Sequence, residues 1–113
     1  MRIVKDKISI QELKRIAEEG FGNLVKVVVD VEKEVMAVGG ELHSDEEALL
    51  LADGAEQSSL WGINLYPDLE PKDWIEFDSV INIRPSRGNL SRGVDNPQFK
   101  QRIIEIVNKL VER

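Results

Sequence analysis

The hydrophobic pattern changes period several times along the chain. After Arg2–Val4, short enough only for a strand, "ISIQELKRIAEEGFG" places Ile10, Leu13, Ile16 and Ala17 on one helical face. Ser9 stands at the cap, Glu12 three positions later completes a capping-box pattern, and Ile8 and Leu13 fall where a hydrophobic staple forms. Gly20 or Gly22 ends the helix. "LVKVVVDVEKEVMAVGG" then alternates with period two, with Val25, Val27, Val29 and Val31 to one side and Lys26, Val28 and Asp30 to the other. It reads as two strands around the turn Glu32–Lys33–Glu34.

A second helix is predicted in "HSDEEALLLADGAE", capped by Ser44, with Glu47 closing the box, Asp45 and Glu46 at the positive end of the helix dipole, and Gly54 at the stop. "SLWGINLYP" and "WIEFDSVINIRP" read as a further strand pair. In the second of these, Ile75, Phe77, Ile81 and Ile83 share a face opposite Glu76, Asp78, Asn82 and Arg84, and Pro85 ends the ladder. A last helix starts at Asp95 or Asn96 with Pro97 in its first turn, and Phe99, Ile103, Ile106, Val107 and Leu110 form its apolar stripe. The order β-α-β-β-α-β-β-α predicts an α+β two-layer sandwich. Its mainly antiparallel sheet would have four or five strands, with three helices packed on one face. Trp61 and Trp74 are expected in the core or over sheet edges, because only 5% of the chain is aromatic.

The length of 113 residues suits a single domain over 1–113. Without cysteine, disulfides, thiolate metal sites and cysteine nucleophiles are excluded. "MRIVKDKISI" lacks the apolar run of a secretory signal, and "ALLLA" is far too short to span a bilayer, so the expected setting is the cytoplasm. A net charge of -6 argues against a generic polyanion binder. The charge is unevenly spread, however. Asp30–Glu56 holds nine acidic residues against one lysine, whereas Arg84–Arg102 holds five basic residues against Asp95 alone.

That basic stretch contains the main candidate site. In "RPSRGNLSRGVDNP", Arg84, Arg87 and Arg92 offer planar forks for carboxylate or phosphate, and Ser86, Asn89 and Ser91 add polar donors. Gly88 and Gly93 allow the backbone to turn tightly, and the N–H groups of the following helix favour negative charge. The favoured function is a non-enzymatic binding module with an anion-receiving loop. Its partner would be an acidic protein or a phosphate-bearing small molecule. In the competing structural reading, the same arginines pair with the acidic segment Asp30–Glu56. The loop has neither the P-loop lysine and spacing nor the dinucleotide fingerprint.

The alternative function is a small enzyme acting on a phosphorylated or carboxylated substrate, with His43, the one histidine, as acid or base. Glu41, His43 and Asp45 could approach one another as oxygen and nitrogen metal ligands, but their spacing belongs to no metal motif, so no metal and no cofactor is called for. Specific nucleic-acid binding is disfavoured by total charge. An unpaired valine-rich edge strand would favour a homodimer.

Taken together, "GGELHSDEEALLL", "LWGINLYP" and "IEFDSVINIRPSRGNLSRGV" resemble a family of small uncharacterised prokaryotic proteins, catalogued as a domain of unknown function. The resemblance covers nearly the whole chain. It implies one compact domain in a bacterial or archaeal cytoplasm, and brings no activity, cofactor or catalytic residue.

Overall fold

In the computed structural model, which describes residues 1–113, strand β1 (Arg2–Val4) is followed by a two-residue strand β2 (Ile8–Ser9) leading into helix α1 (Ile10–Glu19). The Ser9 hydroxyl accepts a hydrogen bond from the Glu12 backbone N–H at 3.1 Å, as its cap position predicts. Glu12 does not reach back to complete the box, because its carboxylate takes Arg15 at 2.7 Å instead. Ile8 and Leu13 are both buried, and Gly20 ends the helix. The valine run forms the hairpin β3 (Val25–Asp30) and β4 (Val35–Val38), followed by α2 (His43–Ala52), β5 (Leu60–Leu65), β6 (Ile75–Glu76), α3 (Pro97–Leu110) and β7 (Val111–Glu112).

The fold is α+β, with three helices and a five-stranded sheet in the order β1-β4-β3-β5-β6. Every neighbouring pair in that sheet is antiparallel. A separate parallel contact joins β2 to β7. The valine-rich strand β3 is paired on both sides, so it offers no free edge for a homodimer; the edges are the short strands β1 and β6.

One sheet face carries Val25, Val27, Val29, Met36, Val38 and Ile63 into the main core, where Leu13 of α1, Ile103 and Ile106 of α3, and both tryptophans join them. The opposite face carries Val28, Ala37 and Leu60 against Leu50 of α2. The expectation that all helices share one face therefore holds for α1 and α3, while α2 crosses over. Coverage on both faces is why "VKVVVD" is apolar at odd positions and also at Val28. No helix is long and apolar enough to cross a membrane.

Two local expectations need correction. The Ser44 cap is not used: α2 starts at His43, with Leu42 in the cap position and no side-chain cap bond. His43 Nε2 lies 2.8 Å from the Ile63 carbonyl oxygen, which draws the residue inward into the first helical turn. The run Trp74–Pro85 forms a strand only at Ile75–Glu76. Beyond it, Ser79 caps a 3-10 turn at Val80–Asn82, and Pro85 opens a second at Pro85–Arg87 rather than closing a ladder. Asn82, expected on the wet side, is fully buried. Its Oδ1 accepts from Gly62 N–H at 2.8 Å and its Nδ2 donates to the Gly62 carbonyl at 2.9 Å, so one side chain replaces a neighbouring strand along β5. Glycine is required opposite it, since a Cβ at position 62 would lie 2.5 Å from Ser79 Cβ.

Candidate functional site

The arginine-bearing loop is held by amides. Besides Gly62, Asn82 Nδ2 bonds the Arg92 carbonyl at 2.9 Å. Asn89 is buried, and its Nδ2 donates to the carbonyls of Asn82 at 2.7 Å, Gly93 at 2.9 Å and Ser91 at 3.2 Å. Its Oδ1 accepts from Asp95 N–H at 2.8 Å. Gly88 takes the left-handed conformation (φ 78°) that closes the turn, and the Arg84 N–H bonds the Asn89 carbonyl at 2.7 Å. The Ser91 hydroxyl donates to the Asp95 carboxylate, and this bond with that from the Leu90 N–H holds the Asp95 carboxyl below its usual range. Asn89 and Ser91, expected as anion donors, therefore build the loop.

The three guanidinium groups have different surroundings. Arg92 is exposed and donates to Asp78 at 2.6 Å, which keeps that carboxylate ionised well into acid. The Arg84 side chain is only 10% exposed and lies 5.2 Å over the Trp61 ring. Its Nη2 meets Glu47 Oε2 at 3.3 Å, while its Nη1 is buried with no partner. Burial lowers its pKa, Glu47 opposes that shift, and the positive charge of Arg87 adds to it. Arg87 is exposed and makes no side-chain hydrogen bond or ion pair within the chain. The acidic segment thus claims one loop arginine in part, through Glu47, and a different acid claims Arg92.

A cleft of about 440 Å³ runs between this turn and α2, lined by Arg84, Ser86 and Arg87 together with Glu47, Gln57 and Ser58. Gln57 and Ser58 come from a 3-10 turn remote in sequence, and nothing in the local pattern marks them. On the other side of Arg87, a cleft of about 730 Å³ reaches Asn96 and Pro97 at the start of α3. There the Asn96 side chain already accepts from the Gln98 N–H at 2.8 Å, and Asp95 adds negative charge. The α3 end is the poorer place for an anion. A third cleft, about 750 Å³, lies between α1 and the Gly39–Leu42 segment, with Phe21, Lys26 and Leu42 on its walls.

His43 is buried, and burial lowers its pKa despite the opposing hydrogen bond to Ile63. The neutral ring must donate from Nε2 to that carbonyl, which leaves Nδ1 as the acceptor. Charges on Lys26, Asp78 and Arg92 act on it from the sheet and the loop. Glu41 and Asp45 are exposed while His43 faces the sheet, and no three such side chains gather closely enough to hold a metal ion. One turn further along α2, Glu46 is fully buried, with Oε2 accepting from the Gly40 N–H at 3.0 Å and Oε1 unpartnered. Burial raises its pKa to about 9, so it is a neutral acid at neutral pH. Its sequence position in the first turn gave no sign of this.

Residues 2–110 match a family described as "Protein of unknown function (DUF5674)". No curated protein and no solved structure matches the chain.

Proposed function

The chain belongs to this family of proteins of unknown function, and from that premise we propose that it is a non-enzymatic binding module whose cleft between Arg84 and Arg87 receives a small anionic group. One observation carries the reading. An arginine side chain that is only 10% exposed, with five N–H donors, has a single 3.3 Å bond to a carboxylate, while a second, unpaired guanidinium shares its cleft. Two like charges so placed repel, and an anion between them would relieve the repulsion and occupy the free donors of Arg87. Ser58 and Ser86 add hydroxyls to the same cleft. Arg92 contributes to this site only by anchoring the loop through Asp78.

The reading in which His43 moves a proton on a held substrate has less behind it. His43 does not border this cleft, and the loop arginine whose charge acts on it is committed to Asp78.

Titration with inorganic phosphate and with acetate, followed by amide and arginine side-chain NMR, tests the proposal. Millimolar anion should shift the Ser86 and Arg87 amides and the Nε–H signals of Arg84 and Arg87. Arg87→Gln should weaken binding roughly tenfold or more, the worth of one charge-assisted hydrogen bond, and Arg92→Gln should leave it nearly unchanged. Absence of shifts in residues 84–87, or equal effects of the two substitutions, would sink the idea.

A further inference from the structure

We infer that the group taken by this cleft is a carboxylate carried on a small apolar body. The inference rests on the anion-binding reading above and narrows it, from three features of the same cleft.

The first is charge. Arg84 and Arg87 bring two positive charges and Glu47 one negative, so the cleft has one unit of positive charge to match. A monoanion balances it. A phosphate dianion would leave an excess negative charge beside Glu47, in a chain that is already acidic.

The second is shape. Arg84 lies 5.2 Å over the Trp61 ring and its Nη2 already meets one carboxylate oxygen, so the direction of its fork is set. Such a fork takes two oxygens of either a carboxylate or a phosphate, but a carboxylate has no others, whereas the further oxygens of a phosphate would still need donors beside the Glu47 carboxylate.

The third is the apolar lip. Val80 and Ile83 are 62% and 43% exposed, and both line the cleft together with Pro85. Val80 opens the 3-10 turn Val80–Asn82 and Ile83 follows it, and the Ser79 cap and the buried Asn82 amide fix the backbone of that turn. Apolar side chains held open beside a guanidinium pair recognise a molecule whose charged end is followed at once by a hydrophobic one. A volume of about 440 Å³ holds a branched acid of small size.

The test compares four probes on the full chain at weakly alkaline pH, where inorganic phosphate is mostly dianionic: 4-methylpentanoate, acetate, 4-methylpentanamide and phosphate. The branched acid should bind about tenfold or more tighter than acetate, the usual return on filling an apolar pocket. It should shift the methyl signals of Val80 and Ile83 together with the Arg87 side chain. The amide should not bind, and phosphate should bind more weakly than the branched acid. Val80→Ser should lower the ratio of branched-acid to acetate affinity. Equal binding of acetate and 4-methylpentanoate, or tighter binding of phosphate, overturns this inference but leaves the anion site standing. If no anion perturbs residues 80–87, both fall. Shifts confined to Phe21, Lys26 and Leu42 would place the acid in the cleft beside α1 and overturn the assignment. A short peptide ending in leucine separates a chain end from a free acid: tighter binding of either carboxylate source supports the class, and equal binding of the peptide with its carboxyl end free or amidated overturns it.

Discussion

Two asparagines show how much a single buried amide can organise. Asn82 supplies both a donor and an acceptor to Gly62, twenty positions earlier, and a donor to the Arg92 carbonyl. Asn89 ties four backbone groups of its own loop. Truncating either leaves several buried backbone groups without partners, at about 1–3 kcal/mol each before relaxation. Asn82→Ala and Asn89→Ala should therefore each cost about 3 kcal/mol in urea denaturation, whereas Ser91→Ala, at an exposed hydroxyl, should cost under about 1 kcal/mol. A loss below 1 kcal/mol for Asn82→Ala would mean that the amide does not hold the edge of β5. Period-two alternation put Asn82 on the wet side, because such a pattern records which way a side chain points and not what it meets. The partner is a glycine in another element, and only the fold brings the two together.

The second helix was legible as a helix and misread in its details. Its acids and Ser44 looked like a helix start, yet its inward positions are His43, Glu46 and Leu50, so two of the three are ionisable. These two groups tilt stability in opposite directions. The unfolded chain ionises Glu46 above about 4.5, while the fold keeps the proton up to about 9. The folded state therefore holds more protons in that window, and stability falls as pH rises through it. For His43 the folded pKa lies below the ordinary 6.5, so the unfolded chain takes up the proton first and stability falls as pH drops below that value. Glu46→Gln should consequently be more stable than the parent chain from about pH 5 upward. The gap should widen by at most about 1.4 kcal/mol per pH unit and vanish in stronger acid. Denaturant midpoints measured across pH check this. A gap that is constant with pH would show that Glu46 is ionised in the fold.

At the scale of the whole molecule, the valine-rich run, the capped first helix and the α3 stripe were readable because each rests on neighbours in sequence. Strand order, the crossing of α2 to the far face and the Gln57–Ser58 contribution to the cleft depend on contacts between distant segments, which no local period encodes. The far-face cluster has four buried residues against twenty-one in the main core, so the question is whether it is a separate cooperative unit. The topology says it is not, because β3 presents Val27 and Val29 to one layer and Val28 to the other. A strand cannot lose one layer and keep its ladder on both sides. The amides of Val27, Val28 and Val29 should then exchange with solvent only through global unfolding, while those of β1 and β6, at the edges, exchange through smaller openings. Leu13→Ala and Leu50→Ala remove a leucine from opposite layers, each at about 2–5 kcal/mol, with Leu50 toward the lower end because a small cluster relaxes more easily. Both should lower the protection of the β3 amides by their full loss of global stability. If Leu50→Ala weakened protection in α2 and β4 but left β3 untouched, the far layer would be a detachable flap, and the apolar lip of the arginine cleft would lose its footing.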